Sequence, residues 1–210
     1  MDFKILIPAR GGSKRILNKN LALLKGRPLI NYCLDTSLSL TPEVYVSTDC
    51  PKIKEVALAA GAQVVDRPPR LATDTSNVSE TILHFLQLHP CTVLVLLQAT
   101  SPLLKAPSIE RGLAKIRDCD SVMGTCKVFK FYWTRQHEPL NYTRGAKPRS
   151  QDVEPLYREN GAFYITYSKN FLQTKELTNG TIQFVNMSER DSIDIDTEED
   201  LAMAELMLNP

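Results

Sequence analysis

Ile5-Leu-Ile-Pro-Ala-Arg-Gly-Gly-Ser-Lys-Arg-Ile-Leu-Asn-Lys-Asn20 joins a short apolar run to a basic loop that contains paired glycines. The apolar run ends at Pro8, and the loop then carries four cationic side chains: Arg10, Lys14, Arg15 and Lys19. In α/β proteins a buried strand followed by such a loop presents backbone N–H groups and cations to a phosphate chain. Residues 10–20 are therefore predicted to form the cradle of a nucleotide triphosphate.

This loop matches neither of the two best-known phosphate-binding patterns. The sequence lacks GxxxxGK[ST], and it also lacks GxGxxG, so a P-loop NTPase and a dinucleotide-dependent oxidoreductase both lose support. Four cations in a loop are often only a solvated surface, and composition alone leaves that alternative open. Gly11 and Gly12 favour the phosphate interpretation, because glycine lets the backbone approach a ligand closely.

Composition limits the class of protein. The chain has 210 residues, is 43% hydrophobic and 23% charged, and carries a net charge of +1, which is typical of a soluble protein with one sizeable core. Near-neutral charge argues against a generic nucleic-acid binder. With no signal-peptide pattern and no apolar run near the ~20 residues of a membrane span, we expect a cytoplasmic protein without a membrane partner. Five cysteines without CxxC spacing indicate buried free thiols.

Strand and helix patterns alternate along most of the chain. Strands are expected at residues 3–7, 44–49, 63–65, 93–97, 121–127 and 162–166, and helices at 52–60, 78–88, after Pro107 and after Thr197, with Pro28 at the first position of another. This alternation predicts an α/β fold with a doubly wound, mostly parallel, Rossmann-like sheet. Ligands of such sheets bind at the carboxyl ends of the strands.

The alternation breaks from residue 129 to residue 159. That segment is rich in aromatic residues, Arg, Lys and Pro and has no clear period. We therefore expect residues 1–128 and 160–210 to form a nucleotide-binding catalytic domain, and residues 129–159 to form a small extension or dimerisation arm.

Two carboxylates near the end of the chain suggest a metal site. Asp194 and Asp196 alternate along Ser192-Ile-Asp-Ile-Asp196, and in a strand residues two apart share a face. Carboxylates so placed repel each other unless they are solvated or bridged by a cation, and oxygen ligands beside a phosphate substrate favour Mg²⁺. An exposed acidic edge strand is the alternative.

Polar groups elsewhere are well placed to bind a ligand. Gln98-Ala-Thr-Ser-Pro102 follows the strongest predicted strand, although Ser-Pro alone would satisfy ordinary turn chemistry. The guanidinium of Arg158 could bind a carboxylate through two hydrogen bonds, or it could lie at the surface or in an interface.

Six segments, taken in chain order, resemble the CMP-sialic acid synthetases (acylneuraminate cytidylyltransferases). They are Ile7–Lys14 with Asn18–Asn20, Val46–Asp49, Arg67–Ala72, Gln98–Leu103, Arg158–Ile165 and Ser192–Glu198. The resemblance runs nearly end to end. It implies a nucleotide-diphospho-sugar transferase-like fold, a homodimer, and the joining of CMP from CTP to the anomeric hydroxyl of a nonulosonic acid with release of pyrophosphate.

Carried over residue by residue, the resemblance also implies roles. The nucleotide would be bound by Arg10, Gly11, Ser13, Lys14, Lys19, Asn20, Arg67 and Ser76, the last two at the cytosine. The sugar would be bound by Gln98, Ser101, Arg158, Asn160 and Tyr164, with Arg158 at its carboxylate. Mg²⁺ would be bound by Asp194 and Asp196, and Lys19 and Asp196 would be catalytic.

The identity of the sugar stays open at this point. Leu104 stands where the family has an arginine, and Ala99 replaces its proline, so a sialic, legionaminic or pseudaminic acid is possible, whereas Kdo synthetase motifs fit less well. A nucleotidyltransferase acting on another sugar or sugar phosphate, and a non-catalytic nucleotide-binding relative, are the alternatives.

Overall fold

The computed structural model describes residues 2–208 and contains a seven-stranded sheet. The strands of this sheet are β1 (Phe3–Pro8), β4 (Val44–Thr48), β5 (Gln63–Asp66), β6 (Val93–Leu97), β7 (Ser121–Val128), β8 (Leu156–Tyr167) and β9 (Ile182–Met187). Their order across the sheet is β5-β4-β1-β6-β8-β7-β9. A separate two-stranded hairpin comprises β2 (Leu23–Leu24) and β3 (Arg27–Pro28).

Most of the sheet is parallel. Strands β5, β4, β1 and β6 pair in parallel with one another, and β9 pairs in parallel with β7. Among the described strands of the seven-stranded sheet, only β8 runs antiparallel to its neighbours, β6 and β7. The prediction of a mostly parallel α/β sheet is confirmed.

Helices cover both faces of the sheet. They are α1 (Leu29–Leu38), α2 (Pro51–Ala59), α3 (Val78–Leu88), α4 (Ala106–Lys115), α5 (Ser168–Thr174) and α6 (Glu198–Met207). Successive side chains of a strand point to opposite faces, so Ile5 packs in the cluster formed with α1, α2 and α4, whereas Leu6 packs with α3 and α5. Strand β6 is buried on both sides for the same reason, which explains its continuous apolar sequence.

Several local predictions are confirmed to the residue. Helix α3 and strand β6 have the predicted bounds, 78–88 and 93–97. The helix expected after Thr197 begins at Glu198 with a capping box, in which Thr197 accepts from the backbone of Asp200 while the Asp200 carboxylate accepts from the backbone of Thr197.

Two local predictions are wrong. Strand β8 begins at Leu156, well before the predicted start at 162, because it also pairs with the second half of β7 beyond a bulge. Pro28 belongs to the β2–β3 hairpin and precedes α1 instead of starting it. The hairpin turn at Lys25 and Gly26 has positive φ at both residues, 50° and 74°, which matches the twist of a tight two-residue turn.

Residues 129–155 leave the sheet between β7 and β8. All of these residues are described, and their regular pairing consists of two isolated bridges, Trp133 with Pro139 and Thr143 with Ala146. Phe129 and Trp133 are each about half exposed, at 51% and 53%. The sheet resumes at Leu156, inside the 129–159 range expected for the extension.

None of the helices between residues 2 and 208 is long and apolar enough to span a lipid bilayer. The five cysteines are free thiols, as expected. Only Cys33 and Cys126 are buried, however, and the other three are partly exposed, so the prediction of five buried thiols is wrong for Cys50, Cys91 and Cys119.

Candidate active site

The loop after β1 is fixed by hydrogen bonds to its neighbours. The Gly11 N–H donates to Oδ1 of Asp49 at 2.9 Å, just beyond β4. At the other end of the loop, Nδ2 of the buried Asn20 donates to the Arg10 carbonyl at 3.0 Å. Gly12 lies between them with a φ of 70°, a backbone conformation that residues other than glycine rarely adopt. The loop that was predicted to cradle phosphates is therefore a defined structure and not a loose surface segment.

A cleft of about 470 Å³ opens at the carboxyl ends of β1 and β6. Most of the predicted nucleotide-binding residues line it together with Gln98 and Asp196: Arg10, Ser13, Lys14, Lys19, Asn20, Arg67 and Ser76. Arg15 adds a further cation to the same wall. Gly11 instead lines an adjoining cavity of about 530 Å³, and Arg10 and Asp74 line both this cavity and the cleft.

Two carboxylates pair with the four cations of the loop and offset only half of their positive charge. Asp74 pairs with Nη1 of Arg10 at 3.0 Å and with Lys14. Asp196 pairs with Nζ of Lys19 at 2.9 Å and with Nη1 of Arg15 at 3.0 Å. Lys19 also donates to the Ile195 carbonyl at 2.8 Å, and its side chain is only 17% exposed, so it is held firmly at the base of the cleft.

Arg67 enters the cleft from the end of β5. Its Nη2 donates to the Ser47 carbonyl at 2.6 Å and its Nε to the Ser47 hydroxyl at 3.2 Å, so the buried guanidinium is anchored to β4. Burial lowers the pKa of Arg67 to about 10, although the charge of Asp49 opposes this effect. Arg67 therefore remains a cation at neutral pH, with its orientation fixed in advance.

The segment that carries Asp194 and Asp196 is extended but does not belong to the sheet. Residues 190–192 form a short 3₁₀ helix, and the Ile195 N–H donates to the Thr100 carbonyl at 2.8 Å. The prediction of a strand here is wrong because the segment packs through its isoleucines against the cluster beside α6, while its carboxylates face away. Asp196 lines the cleft, whereas Asp194 lines a smaller cavity that shares no lining residue with the cleft.

The surroundings of the Asp194 carboxyl shift its pKa. Partial burial raises the pKa of Asp194, a hydrogen bond from Thr100 opposes this, and the negative charge of Asp196 raises it further. Within residues 2–208 no group of three or more His, Cys, Asp or Glu side chains is arranged to hold a metal ion. The described part of the chain thus presents these two carboxylates without a larger acidic cage.

The predicted sugar-binding residues are dispersed. Arg158 and Asp194 line a smaller cavity of about 240 Å³, separate from the cleft that holds Gln98. Asn160 is 3% exposed, and its Nδ2 donates to the Ser192 hydroxyl at 3.0 Å. Its Oδ1 accepts from the Ala162 N–H at 3.1 Å, so the amide is satisfied inside the protein.

Two other residues of the predicted sugar site are also turned away from a ligand: one is buried, and the other binds a carboxylate of this chain. Ser101 is 1% exposed, and its hydroxyl has no hydrogen-bond partner among the described residues. The Tyr164 hydroxyl donates to the Glu159 carboxylate. Burial raises the pKa of Tyr164, and the Glu159 carboxylate raises it further.

Sequence reasoning included Asp49 in the segment Val46–Asp49, at the end of a predicted strand where ligands bind, but gave it no role of its own. It assigned no role in the site to Asp74. Asp74 lies in an irregular polar stretch, and nothing local in the sequence indicates its pairing with Arg10, which is 64 residues away. A sheet of this topology with a cationic cleft at the carboxyl ends of its strands is the arrangement of nucleotide-binding α/β proteins.

The chain belongs to the cytidylyltransferase family, whose model, described as Cytidylyltransferase, matches residues 4–207. It is 34% identical over 212 residues to N-acylneuraminate cytidylyltransferase A of Danio rerio, a match that covers 95% of this chain and 49% of that protein. It is 35% identical over 226 residues to the CMP-N,N'-diacetyllegionaminic acid synthase of Legionella pneumophila, covering 99% of this chain and 97% of that protein. The chain thus spans about half the length of the N-acylneuraminate relative.

Solved structures have the same fold. A CMP:2-keto-3-deoxy-manno-octonic acid synthetase complexed with CTP superposes with a TM-score of 0.76 at 18% identity, covering 99% of this chain and 98% of that one. A 4-diphosphocytidyl-2C-methyl-D-erythritol synthase from Anaerococcus prevotii gives a TM-score of 0.69 at 15% identity, with the same coverage. At these identities the likeness shows the fold alone.

Proposed function

We propose that this protein transfers CMP from CTP to the anomeric hydroxyl of a nonulosonic acid and releases pyrophosphate. The observation that carries the proposal is the convergence of Arg10, Lys14, Arg15 and Lys19 on one cleft at the carboxyl edge of the sheet. The names of the relatives support both the nucleotide and the class of sugar.

Bond making and breaking in this reaction call mainly for positioning and charge stabilisation. The sugar hydroxyl oxygen forms a bond to the α-phosphorus, the bond from that phosphorus to the bridging oxygen breaks, and the hydroxyl proton passes to a base. Negative charge grows on the departing pyrophosphate, so cations fixed beforehand stabilise the transition state. Lys19 is the best placed of them, because the Ile195 carbonyl and Asp196 hold its ammonium group in the cleft.

We also propose that Asp194 and Asp196 hold Mg²⁺ when nucleotide is bound. Two neighbouring carboxylates, one of them with a raised pKa, are a pair that a cation would stabilise. Mg²⁺ typically takes one or two carboxylates and completes its shell with substrate phosphates and water, which suits a site without a larger acidic cage. The ion would supply further neutralisation of phosphate charge. Asp196 is our candidate for the group that assists deprotonation of the hydroxyl.

For the sugar, the legionaminic acid synthase is the more informative relative, because it matches this chain over 97% of its own length. Gln98 in the cleft and Arg158 in the neighbouring cavity are the polar groups we assign to sugar binding. Asn160 and Ser101 would act beneath these groups as supports, since both are buried.

We further propose that the segment 129–155 mediates a homodimer. It exposes large apolar side chains: Phe129, Tyr132, Trp133 and Leu140. Covering such residues is a common reason for subunit association. Light scattering of the wild-type chain and of a Trp133→Glu variant tests this, and a wild-type monomer at micromolar concentration would reject it.

The reaction is tested by measuring pyrophosphate release from CTP and Mg²⁺ with a panel of acceptors. The panel contains N-acetylneuraminic, legionaminic, pseudaminic and Kdo acids. Turnover with one nine-carbon acid is expected, and folded protein that turns over none of them refutes the proposal. Substituting UTP or GTP distinguishes a related nucleotidyltransferase, and CTP binding without turnover would indicate a nucleotide sensor.

An Asp196→Asn variant separates chemistry from folding. It removes the charge that pairs with Lys19 and that would bind the metal, so turnover should fall by about 10²-fold or more. Asp66→Asn is the matched control, because Asp66 forms an exposed ion pair with Lys54 and does not line the cleft. Full activity in Asp196→Asn would reject its assignment.

A further inference from the structure

Asp74 forms ion pairs with two of the cations that the proposed reaction requires for phosphate binding. Its Oδ1 lies 3.0 Å from Nη1 of Arg10, and its Oδ2 pairs with Lys14. Arg10 is also drawn toward this loop by a 3.3 Å hydrogen bond from Nη1 to the Ala72 carbonyl. One carboxylate thus bridges two side chains of the β1 loop from the opposite wall of the cleft.

We propose that Asp74 is an internal competitor of phosphate: it yields Arg10 and Lys14 to the triphosphate and takes them back as pyrophosphate leaves. The inference rests on the proposed function for its biological meaning. The exchange involves no covalent step, since one anion replaces another at the same N–H donors. Its consequence is a lower affinity for pyrophosphate and therefore faster release of that product.

Asp74 and Asp196 are similarly exposed, at 43% and 49%, so it is their partners that distinguish them. The Lys14 side chain is 75% exposed, so Lys14 and Asp74 can both turn toward solvent at little cost. Asp196 instead pairs with Lys19, which is 17% exposed and carries a second hydrogen bond to backbone. The weaker of the two anchors is thus the one an incoming anion displaces.

Asp74 also stays charged under working conditions. Hydrogen bonds from Lys14, and then from Arg10, lower the pKa of its carboxyl from an already acidic ordinary value. At neutral pH the group is an anion and repels any phosphate that approaches the same cations. Unlike Asp194 and Asp196, Asp74 has no proposed metal partner through which it could attract the nucleotide.

The loop around Asp74 allows this exchange without unfolding. The Thr73 N–H donates to the Ser76 hydroxyl at 3.0 Å, and that hydroxyl donates to the Arg70 carbonyl at 3.2 Å. These bonds close the turn independently of the Asp74 side chain. Rotation of that side chain therefore opens the phosphate cations while the turn keeps its shape.

The test measures binding of pyrophosphate alone by calorimetry, so it requires neither sugar nor turnover. Asp74→Asn should bind pyrophosphate about fivefold more tightly than wild type, the range expected for losing competition from exposed ion pairs. The difference should shrink in high salt, and binding of cytidine, which has no phosphate, should not change. Asp35→Asn, which breaks the exposed Arg27–Asp35 pair outside the cleft, should match wild type.

Asp74→Glu retains the charge and should keep wild-type affinity, and thermal unfolding of each variant verifies the fold. If Asp74→Asn binds pyrophosphate equally or more weakly, the carboxylate orients the cations and does not compete with phosphate, and the proposal is overturned. Failure of the proposed function looks different. In that case the wild-type protein turns over no sugar, while the pyrophosphate affinities of the variants still report on Asp74.

Discussion

Replacing Asn160 with alanine decides whether this residue binds sugar or supports the fold. The family resemblance places its amide at the sugar. In the structure the amide bonds inward: Nδ2 to the Ser192 hydroxyl at 3.0 Å and to the Met187 sulfur at 3.2 Å, and Oδ1 from the Ala162 N–H at 3.1 Å. We therefore expect Asn160→Ala to act first on stability.

The magnitude follows from the bonds that are lost. Two conventional hydrogen bonds contribute about 1 kcal/mol each, and the buried Ala162 N–H left without its acceptor adds a further desolvation cost of about 1 kcal/mol or more. The free energy of unfolding should fall by about 3 kcal/mol. For a chain of this size that corresponds to a decrease in Tm of roughly 6–12 °C.

Urea and thermal denaturation of Asn160→Ala measure this change, with Gln98→Ala as the matched amide truncation. Gln98 lines the cleft, so its loss should raise KM for the sugar and leave Tm within about 2 °C. If Asn160→Ala keeps the wild-type Tm and instead raises KM for the sugar, its amide faces the ligand, and our reasoning from burial is refuted.

Two further predictions concern packing and capping. Gly124→Ala should destabilise by about 1–3 kcal/mol, because the added Cβ would lie 2.7 Å from Oδ1 of Asn160 and 3.1 Å from the Phe163 ring; unchanged urea denaturation would contradict this. Thr197→Ala should cost about 1 kcal/mol through loss of the cap on α6, whereas Thr197→Ser keeps the hydroxyl and should restore stability in the same assay.

The parts of the fold that could be predicted from sequence are those with a strong local pattern. Helix α3 and strand β6 have clear periodicity or continuous apolarity, so their bounds were found. The early half of β8 was missed because its side chains from Tyr157 to Glu159 are polar or exposed, and only pairing with distant β7 makes it a strand. The β2–β3 hairpin has strands too short to leave a period.

The parts of the site that could be predicted are likewise those with a local signal in the sequence. The cations of the β1 loop lie close together in sequence, and both their clustering and their place after a strand were visible. Asp196 was predicted as a site residue, but its ion pair with Lys19 was not, and Asp74 was not predicted at all. These carboxylates reach the loop from 177 and 64 residues away along the chain. The inward orientation of Asn160 likewise involves a hydrogen bond to Ser192, which no sequence pattern near Asn160 predicts.

The contact between Lys19 and Asp196 joins positions 177 residues apart in the chain. During synthesis the phosphate loop leaves the ribosome well before this carboxylate, which follows 177 residues later. A truncated or partly folded chain therefore carries the cations without their full set of partners. The ability of CTP to protect the protein against a protease would then report completion of folding. Only molecules in which Asp196 has reached Lys19 present the finished cleft.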